Sequence, residues 1–343
     1  MKRMLLLISS LFFSVSFAAT IGGYGELHWD MEGEKMDFHR FVLFYGHAWD
    51  DEWSMKAEVE LEHNMVGGDA DDEDGTGTTI RYPGELELEQ AYVNYFNGSW
   101  GWKGGVILAP VGIINVTHEP PTFLSVERPE YAKNIIPTTW FGNGFSFYGN
   151  MGDISWEVAL MEDLNGQAIY DSGKIRDGRQ KGYKSDAVDL TKIISLGWTG
   201  MDGLRLGGSY TMNSSPWVDG SESGDLDVTL MEMNATYSKN NIHTVFEYAT
   251  GNFDNNAGMN WTSNGYYLDL GYNIGDMIGM EGKTLMPWLR MSTYTTDDSN
   301  DAKENEVSLF GVTYKPNSSV SIKFETGESG DSDIMRMGVG YMF

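Results

Sequence analysis

Carboxylates stand at alternate positions in two short stretches, Glu58, Glu60, Glu62 and Glu85, Glu87, Glu89. Paired carboxylates can act as acid and base on a glycosidic bond. With 50 acidic residues in 343, however, such pairs arise by chance and do not imply that chemistry. The run Asp69-Ala70-Asp71-Asp72-Glu73-Asp74-Gly75 suggests calcium. An EF-hand loop needs acids at positions one, three and five before glycine at six, and Gly75 at six puts Ala70 at one, so the register fails. The six histidines are His28, His39, His47, His63, His118 and His243. None forms a His-x-x-x-His pair, so no metal site and no cofactor are expected. His118-Glu119 opens a proline-rich segment, where it reads as a loop anchor. No Gly-x-Ser-x-Gly elbow occurs. There is no cysteine, which excludes disulfides and thiolate-held metals. With 23 basic residues against 50 acidic and a charge of −27, a basic face for nucleic acid is excluded.

The elements around these residues have a period of two. In 53–62, Trp53, Met55, Ala57, Val59 and Leu61 alternate with Ser54, Lys56, Glu58, Glu60 and Glu62. At the C-terminus Met335, Met337, Val339, Tyr341 and Phe343 share one face. Such alternation means strands with one apolar and one polar side. About sixteen segments of about ten residues follow it, a length that crosses a membrane when tilted. They are 20–30, 37–48, 52–64, 84–96, 99–109, 140–149, 153–162, 189–199, 202–213, 225–238, 241–251, 263–273, 284–296, 304–315, 318–326 and 333–343. Short connections such as Asp50-Asp51 and Asn97-Gly98 alternate with long ones: 31–36, 65–83, 110–139, 163–188, 214–224, 252–262, 297–303 and 327–332. Trp49, Trp53, Trp100, Trp102, Trp156 and Trp198 lie near the short turns, as in an interfacial girdle. Residues 1–18 read as a signal peptide, with Lys2 and Arg3 before the apolar run 4–13 and small residues before a cleavage site after Ala18. The expected fold is therefore all-β. Residues 19–343 form a single 16-stranded antiparallel transmembrane β-barrel in a bacterial outer membrane, with short periplasmic turns and long extracellular loops. A soluble sandwich also alternates, but its large rings belong mid-strand, in the core.

With the apolar face outward, the polar face lines the lumen. The candidate wall residues are Arg40, Lys56, Glu58, Glu60, Glu62, Glu85, Glu87, Glu89, Arg205, Arg290, Lys323 and Arg336. By count the acids dominate, which predicts a weak preference for cations. The acids gather on the third and fourth strands and several bases on the last four, close together once the barrel closes. The longest loop, 110–139, supplies Glu119, Glu127, Arg128, Glu130 and Lys133 as candidates for a constriction. Its prolines at 110, 120, 121, 129 and 137 limit its freedom.

The N-terminal half carries a more specific order of words: Gly23-Tyr24-Gly25-Glu26, Asp37-Phe38-His39-Arg40-Phe41-Val42-Leu43, Glu58-Val59-Glu60-Leu61-Glu62-His63 and Gly84-Glu85-Leu86-Glu87-Leu88-Glu89-Gln90-Ala91-Tyr92-Val93. Pro110-Val111-Gly112, His118-Glu119-Pro120-Pro121, Glu127-Arg128-Pro129 and Pro137-Thr138-Thr139-Trp140 follow. Over about residues 20–150 this resembles the phosphate-selective porin O and P family and its broader outer-membrane porin relatives. The resemblance implies a sixteen-stranded barrel, a homotrimer, and a third loop folded into the lumen. The family's phosphate selectivity rests on pore-lining arginines and lysines, and this acidic chain departs from that, so the porin role carries over and the phosphate preference does not. The expected function is a water-filled channel for passive diffusion of small hydrophilic solutes and ions, with outer-membrane lipid as surroundings. Two alternatives stand beside it. An outer-membrane barrel hydrolase would need a Ser/His or Asp/His cluster at the loop end, where only His118 is available. A structural or adhesive barrel would use the acidic loops 65–83, 217–227 and 297–306.

Overall fold

The computed structural model describes residues 19–70, 80–300 and 303–343. The expected signal segment 1–18 and the acidic stretch 71–75 lie outside the described residues. The strands, in chain order, are β1 (Thr20–Asp30), β2 (Lys35–Ala48), β3 (Trp53–Glu62), β4 (Val66–Ala70), β5 (Ile80–Pro83), β6 (Leu86–Phe96), β7 (Trp100–Leu108), β8 (Phe141–Met151) and β9 (Ile154–Met161). They continue as β10 (Thr191–Met201), β11 (Leu204–Asp219), β12 (Glu222–Lys239), β13 (Ile242–Asp254), β14 (Asn260–Tyr272), β15 (Thr284–Thr295), β16 (Glu304–Asn317), β17 (Val320–Ser329) and β18 (Ser332–Met342).

Sixteen of them form one closed antiparallel barrel, in which β3 pairs with β6 and the small hairpin β4–β5 stands apart. Closure joins β18 to β1, with Glu26 opposite Gly340 and Asp30 opposite Arg336. A closed barrel leaves no strand edge and satisfies every ladder hydrogen bond, which is what a β structure needs inside lipid.

The distribution of polarity is inverted relative to a soluble protein. On β17, Phe324 is 36% exposed while its neighbours Lys323 and Glu325 are 2% and 0% exposed. On β12, Met231 and Met233 face out around a buried Glu232. Leu196, Leu206, Leu289, Met291 and Phe310 extend the same exposed apolar belt. Water would not tolerate so large an apolar surface around charged interiors, whereas bilayer hydrocarbon covers it. Near the short turns Trp53 packs on Trp102 with ring centroids 5.7 Å apart, and Trp49 and Trp100 stay half-exposed. Their amphipathic rings suit the membrane interface.

Three expected long loops are short. β11 and β12 stay paired up to Asp219 opposite Glu222, so 214–224 is a tight hairpin on Gly220 and Ser221. The stretch 252–262 shrinks to the five residues between Asp254 and Asn260. The segment 327–332 turns on Gly330 and Asp331, with Gly330 at φ 54°. The polar, glycine-rich composition of 214–224 suggests a loop. The ladder nevertheless continues, because Trp217 is buried, stacks on Tyr170 at 4.7 Å and donates its Nε1 hydrogen to the Asn255 carbonyl at 3.0 Å.

Candidate functional site

The segment between β7 and β8 enters the barrel and crosses it. It holds the short helices α1 (Ile113–Val116) and α2 (Tyr131–Asn134), with a 3-10 turn at Pro120–Thr122. Asn115 sews its base together. Its amide donates to the Ala109 carbonyl at 2.8 Å, and its carbonyl accepts the Trp140 backbone hydrogen at 2.5 Å. Val111, Ile114, Phe123, Leu124, Val126, Tyr131, Ile135 and Ile136 are buried, many of them packed against wall residues such as Ala249 and Tyr267.

The far wall holds this loop by charge. The Ile113 backbone hydrogen goes to Glu247 Oε1 at 2.7 Å, and the Val126 one to Glu325 Oε2 at 2.7 Å. Lys315 Nζ donates to the Pro121 carbonyl at 2.6 Å, and Lys323 Nζ to that of Ser125 at 2.7 Å. Glu130 Oε2 accepts from Tyr294 at 3.0 Å and Ser329 at 2.9 Å. Buried carbonyls and amides of an irregular loop must find partners, and these wall side chains provide them. Small residues make room: a Cβ on Gly340 would lie 2.3 Å from Pro120 Cβ.

The wall candidates separate into two groups. Glu58, Glu60, Glu89, Arg290 and Lys323 point inward yet are at most 3% exposed, because the loop or its partners cover them. Arg290 grips Asp269 through two bonds of 2.7 and 2.6 Å. Arg40 bridges Glu26 at 2.7 Å and Glu60 at 2.9 Å, with Glu62 at 3.6 Å. Lys56 lies 3.3 Å from Glu58, and Arg336 lies 3.3 Å from Glu325. Glu85 and Glu87 share Lys181. Arg205 is exposed near the short turns.

Among the loop candidates, Glu127 meets His28 at 2.8 Å. Its side chain keeps 38% of its surface open, but only to the enclosed lumen. Enclosure alone would raise its pKa; the His28 charge outweighs that and holds the carboxyl below the usual range. Arg128 donates to the His118 carbonyl at 3.2 Å. Glu119 is half-buried, and Lys133 is exposed.

A second inward element has no counterpart in the sequence reading. The stretch 162–190 carries α3 (Gly166–Ser172) and a 3-10 turn at Ile175–Gly178, and it lies over the first loop. Asn165 caps α3 by accepting the Ala168 backbone hydrogen at 2.9 Å. Arg176 and Arg179 both donate to the Thr138 carbonyl, Arg179 also to that of Thr139. Lys174 Nζ reaches Asn134 Oδ1 at 2.9 Å. Burial, with Arg176 close by, pulls Arg179 down to about 10, so it stays charged at neutral pH. The available signal was charge density: Lys174, Arg176, Arg179, Lys181 and Lys184 fall within eleven residues of an acidic chain.

Among the described residues, a large cavity lies on each side of the crossing loop. The one toward the long loops has a volume of about 650 Å³. It is lined by Arg40, Arg128, Lys133, Lys174, Arg176 and Arg336 against Glu62, Glu127 and Glu130. The other, about 500 Å³, lies toward the short turns beside Arg205, Asp202 and Asp269. Among the described residues, three groupings of histidine and carboxylate also form in space where sequence spacing showed none: Asp37–His39–His63, His28–His39–Glu127 and Glu58–Glu89–His118.

This arrangement has structural counterparts. An outer membrane protein of Vibrio cholerae, OmpT lacking loop L8, matches with a TM-score of 0.60 at 10% identity, covering 95% of this chain and 99% of that one. The anion-selective porin from Comamonas acidovorans matches at 0.58 and 11% identity, covering 95% and 99%. The fold is that of the sixteen-stranded porins. A trimer form of the Vibrio cholerae protein matches at 0.55 and 9% identity, covering 95% and 98%. In sequence, an uncharacterized protein of Aquifex aeolicus is 29% identical over 96% of this chain and 81% of its own length. No protein-family model matches. The likeness is thus to the porin fold in general and does not single out the phosphate-selective branch.

Proposed function

We propose that the chain is an outer-membrane porin, a channel for passive diffusion of small hydrophilic solutes, rather than an enzyme. The observation that carries this is a barrel apolar outside and charged inside, with one loop fastened across its lumen. Such a loop narrows a wide barrel to a size filter whose wall charge biases which ion passes. The hydrolase reading rests on His118, which is only 2% exposed; the histidines that do line the outer cavity, His39 and His63, both bond to Asp37, and a hydrolase screen of the same folded protein tests that reading.

The selectivity we propose differs in sign from the sequence count. Several acids that dominate the count, Glu58, Glu60 and Glu89, are covered, as is Arg40 that pairs with them, while the outer cavity shows five further cationic side chains, Arg128, Lys133, Lys174, Arg176 and Arg336, and three carboxylates. Permeant ions respond to the charge they pass, so anions are favoured there. Assembly as a homotrimer is proposed with it, supported by the trimer form of the structural neighbour. The test is reconstitution of the mature protein in a planar bilayer under a potassium chloride gradient. Steady conductance with a reversal potential of anionic sign is expected. Folded protein without conductance would refute the channel, and a cationic sign would refute the proposed filter.

A further inference from the structure

His118, Glu58 and Glu89 form a closed group that the channel reading does not use. His118 comes from the crossing loop, Glu58 from β3 and Glu89 from β6, and all three are at most 2% exposed. His118 Nδ1 lies 3.2 Å from the Asn115 carbonyl, so that nitrogen carries the hydrogen and donates it. In the neutral ring the lone pair of Nε2 then faces the carboxylates, 3.5 Å from Glu58 Oε1 and 3.7 Å from Glu89 Oε2. These three atoms, and Glu89 Oε1 as well, have no hydrogen-bond partner among the described residues. Gln90 and Lys56 attend only the other oxygen of Glu58. A carboxylate buried as deeply as Glu89, with only the acid Glu60 and Thr139 beside it, is costly, and atoms left without a well-formed hydrogen bond on three side chains converging on one point call for a shared cation.

We propose that Glu58, Glu89 and His118 bind a divalent transition ion of the zinc class. With metal–nitrogen and metal–oxygen bonds of about 2.0–2.2 Å, the edge of a tetrahedral site is about 3.3–3.6 Å, close to the separations seen. One imidazole and two carboxylates suit zinc, cobalt or nickel, while calcium demands six or more oxygens. The Nδ1–carbonyl bond is the outer partner that orients a ligating imidazole. The ion would clip the loop to β3 and β6, across the lumen from the anchors on β13 to β17. The Asp37–His39–His63 group is a weaker candidate, because Asp37 Oδ2 is already taken by His63 at 2.7 Å and His39 at 3.1 Å.

The test is metal content by mass spectrometry after dialysis of the folded mature protein against zinc chloride and then metal-free buffer. About one zinc per chain is expected, falling below about 0.1 in His118→Gln and Glu89→Gln and unchanged in His39→Ala. Heat-modifiable gel migration checks that each variant is folded. If the two variants do not fold, cobalt exchange into the wild-type protein decides: absorption bands of a tetrahedral nitrogen–oxygen site support the proposal, and their absence overturns it. Wild-type protein that takes up no zinc, or zinc lost from His39→Ala but kept by His118→Gln, also overturns it.

Discussion

Replacing Lys133 by glutamate is expected to move the proposed anion preference toward cations. Lys133 is exposed to the outer cavity and makes no ion pair among the described residues, so the change alters charge and leaves the loop's anchors alone. A cavity of about 650 Å³ has the volume of a sphere with a radius of about 5 Å. At that distance a unit charge acts on a permeant ion with about 0.8 kcal/mol in water. Screening at 0.1 M salt reduces this to about 0.5 kcal/mol. The substitution changes the charge by two and acts oppositely on anion and cation, so the difference between them shifts by about 2 kcal/mol. That is roughly a thirtyfold fall in the chloride-to-potassium permeability ratio. Reversal potentials of wild type and K133E in one bilayer series measure it. A shift below about twofold in folded protein would mean that ions do not pass the cavity, and the reasoning from its lining would fail.

Gly340→Val would force Pro120 off its seat, since even a methyl group meets Pro120 Cβ at 2.3 Å. Overpacking of this kind costs about 1–3 kcal/mol, and the loop should yield before the barrel. Faster tryptic cleavage after Lys133, with higher conductance, is expected; an unchanged cleavage rate and an unchanged conductance would count against the docking described. For Glu127, a folded pKa held low means that the carboxylate's stabilisation is complete above its unfolded value of about 4.3 and disappears as pH falls through the lower folded value. Wild type should therefore resist unfolding better than Glu127→Gln at pH 6, and the gap should close in strong acid. A gap that does not shrink at all as pH falls from about 4 into strong acid would contradict the ion pair's role.

Much of the barrel is legible because its physics is local. Alternation in β3, β11 and β18 needs no knowledge of the fold, and a strand in lipid must alternate. What escapes is set by contacts far apart in sequence. The continuation of β11 and β12 beyond Ser214 depends on Trp217 meeting Tyr170 and Asn255. The burial of Glu58 and Glu89 depends on where residues 109–140 come to rest, which no periodicity encodes. The basic stretch 174–184 was visible as composition, but its placement over Thr138 and Thr139 is tertiary. Charge counted along the chain therefore differs from the charge that lines the outer cavity.

The anchors of the crossing loop also fix an order of assembly. Ile113 waits for Glu247, 134 residues later, and Val126 waits for Glu325, 199 residues later. Loop closure over such spans is slow, and nothing nearer in the chain offers these partners. Part of the loop's packing, on Ile107, Ala159 and Ile169, lies nearer in the chain, but its far-wall contacts wait until β13 to β17 stand in the barrel, which closes where β18 meets β1. The far-wall anchors are therefore expected to form after the wall itself, so that the narrowing of the cylinder comes late. A chain shortened before β16 should accordingly leave residues 109–140 open to protease; protection in such a chain would reverse the order.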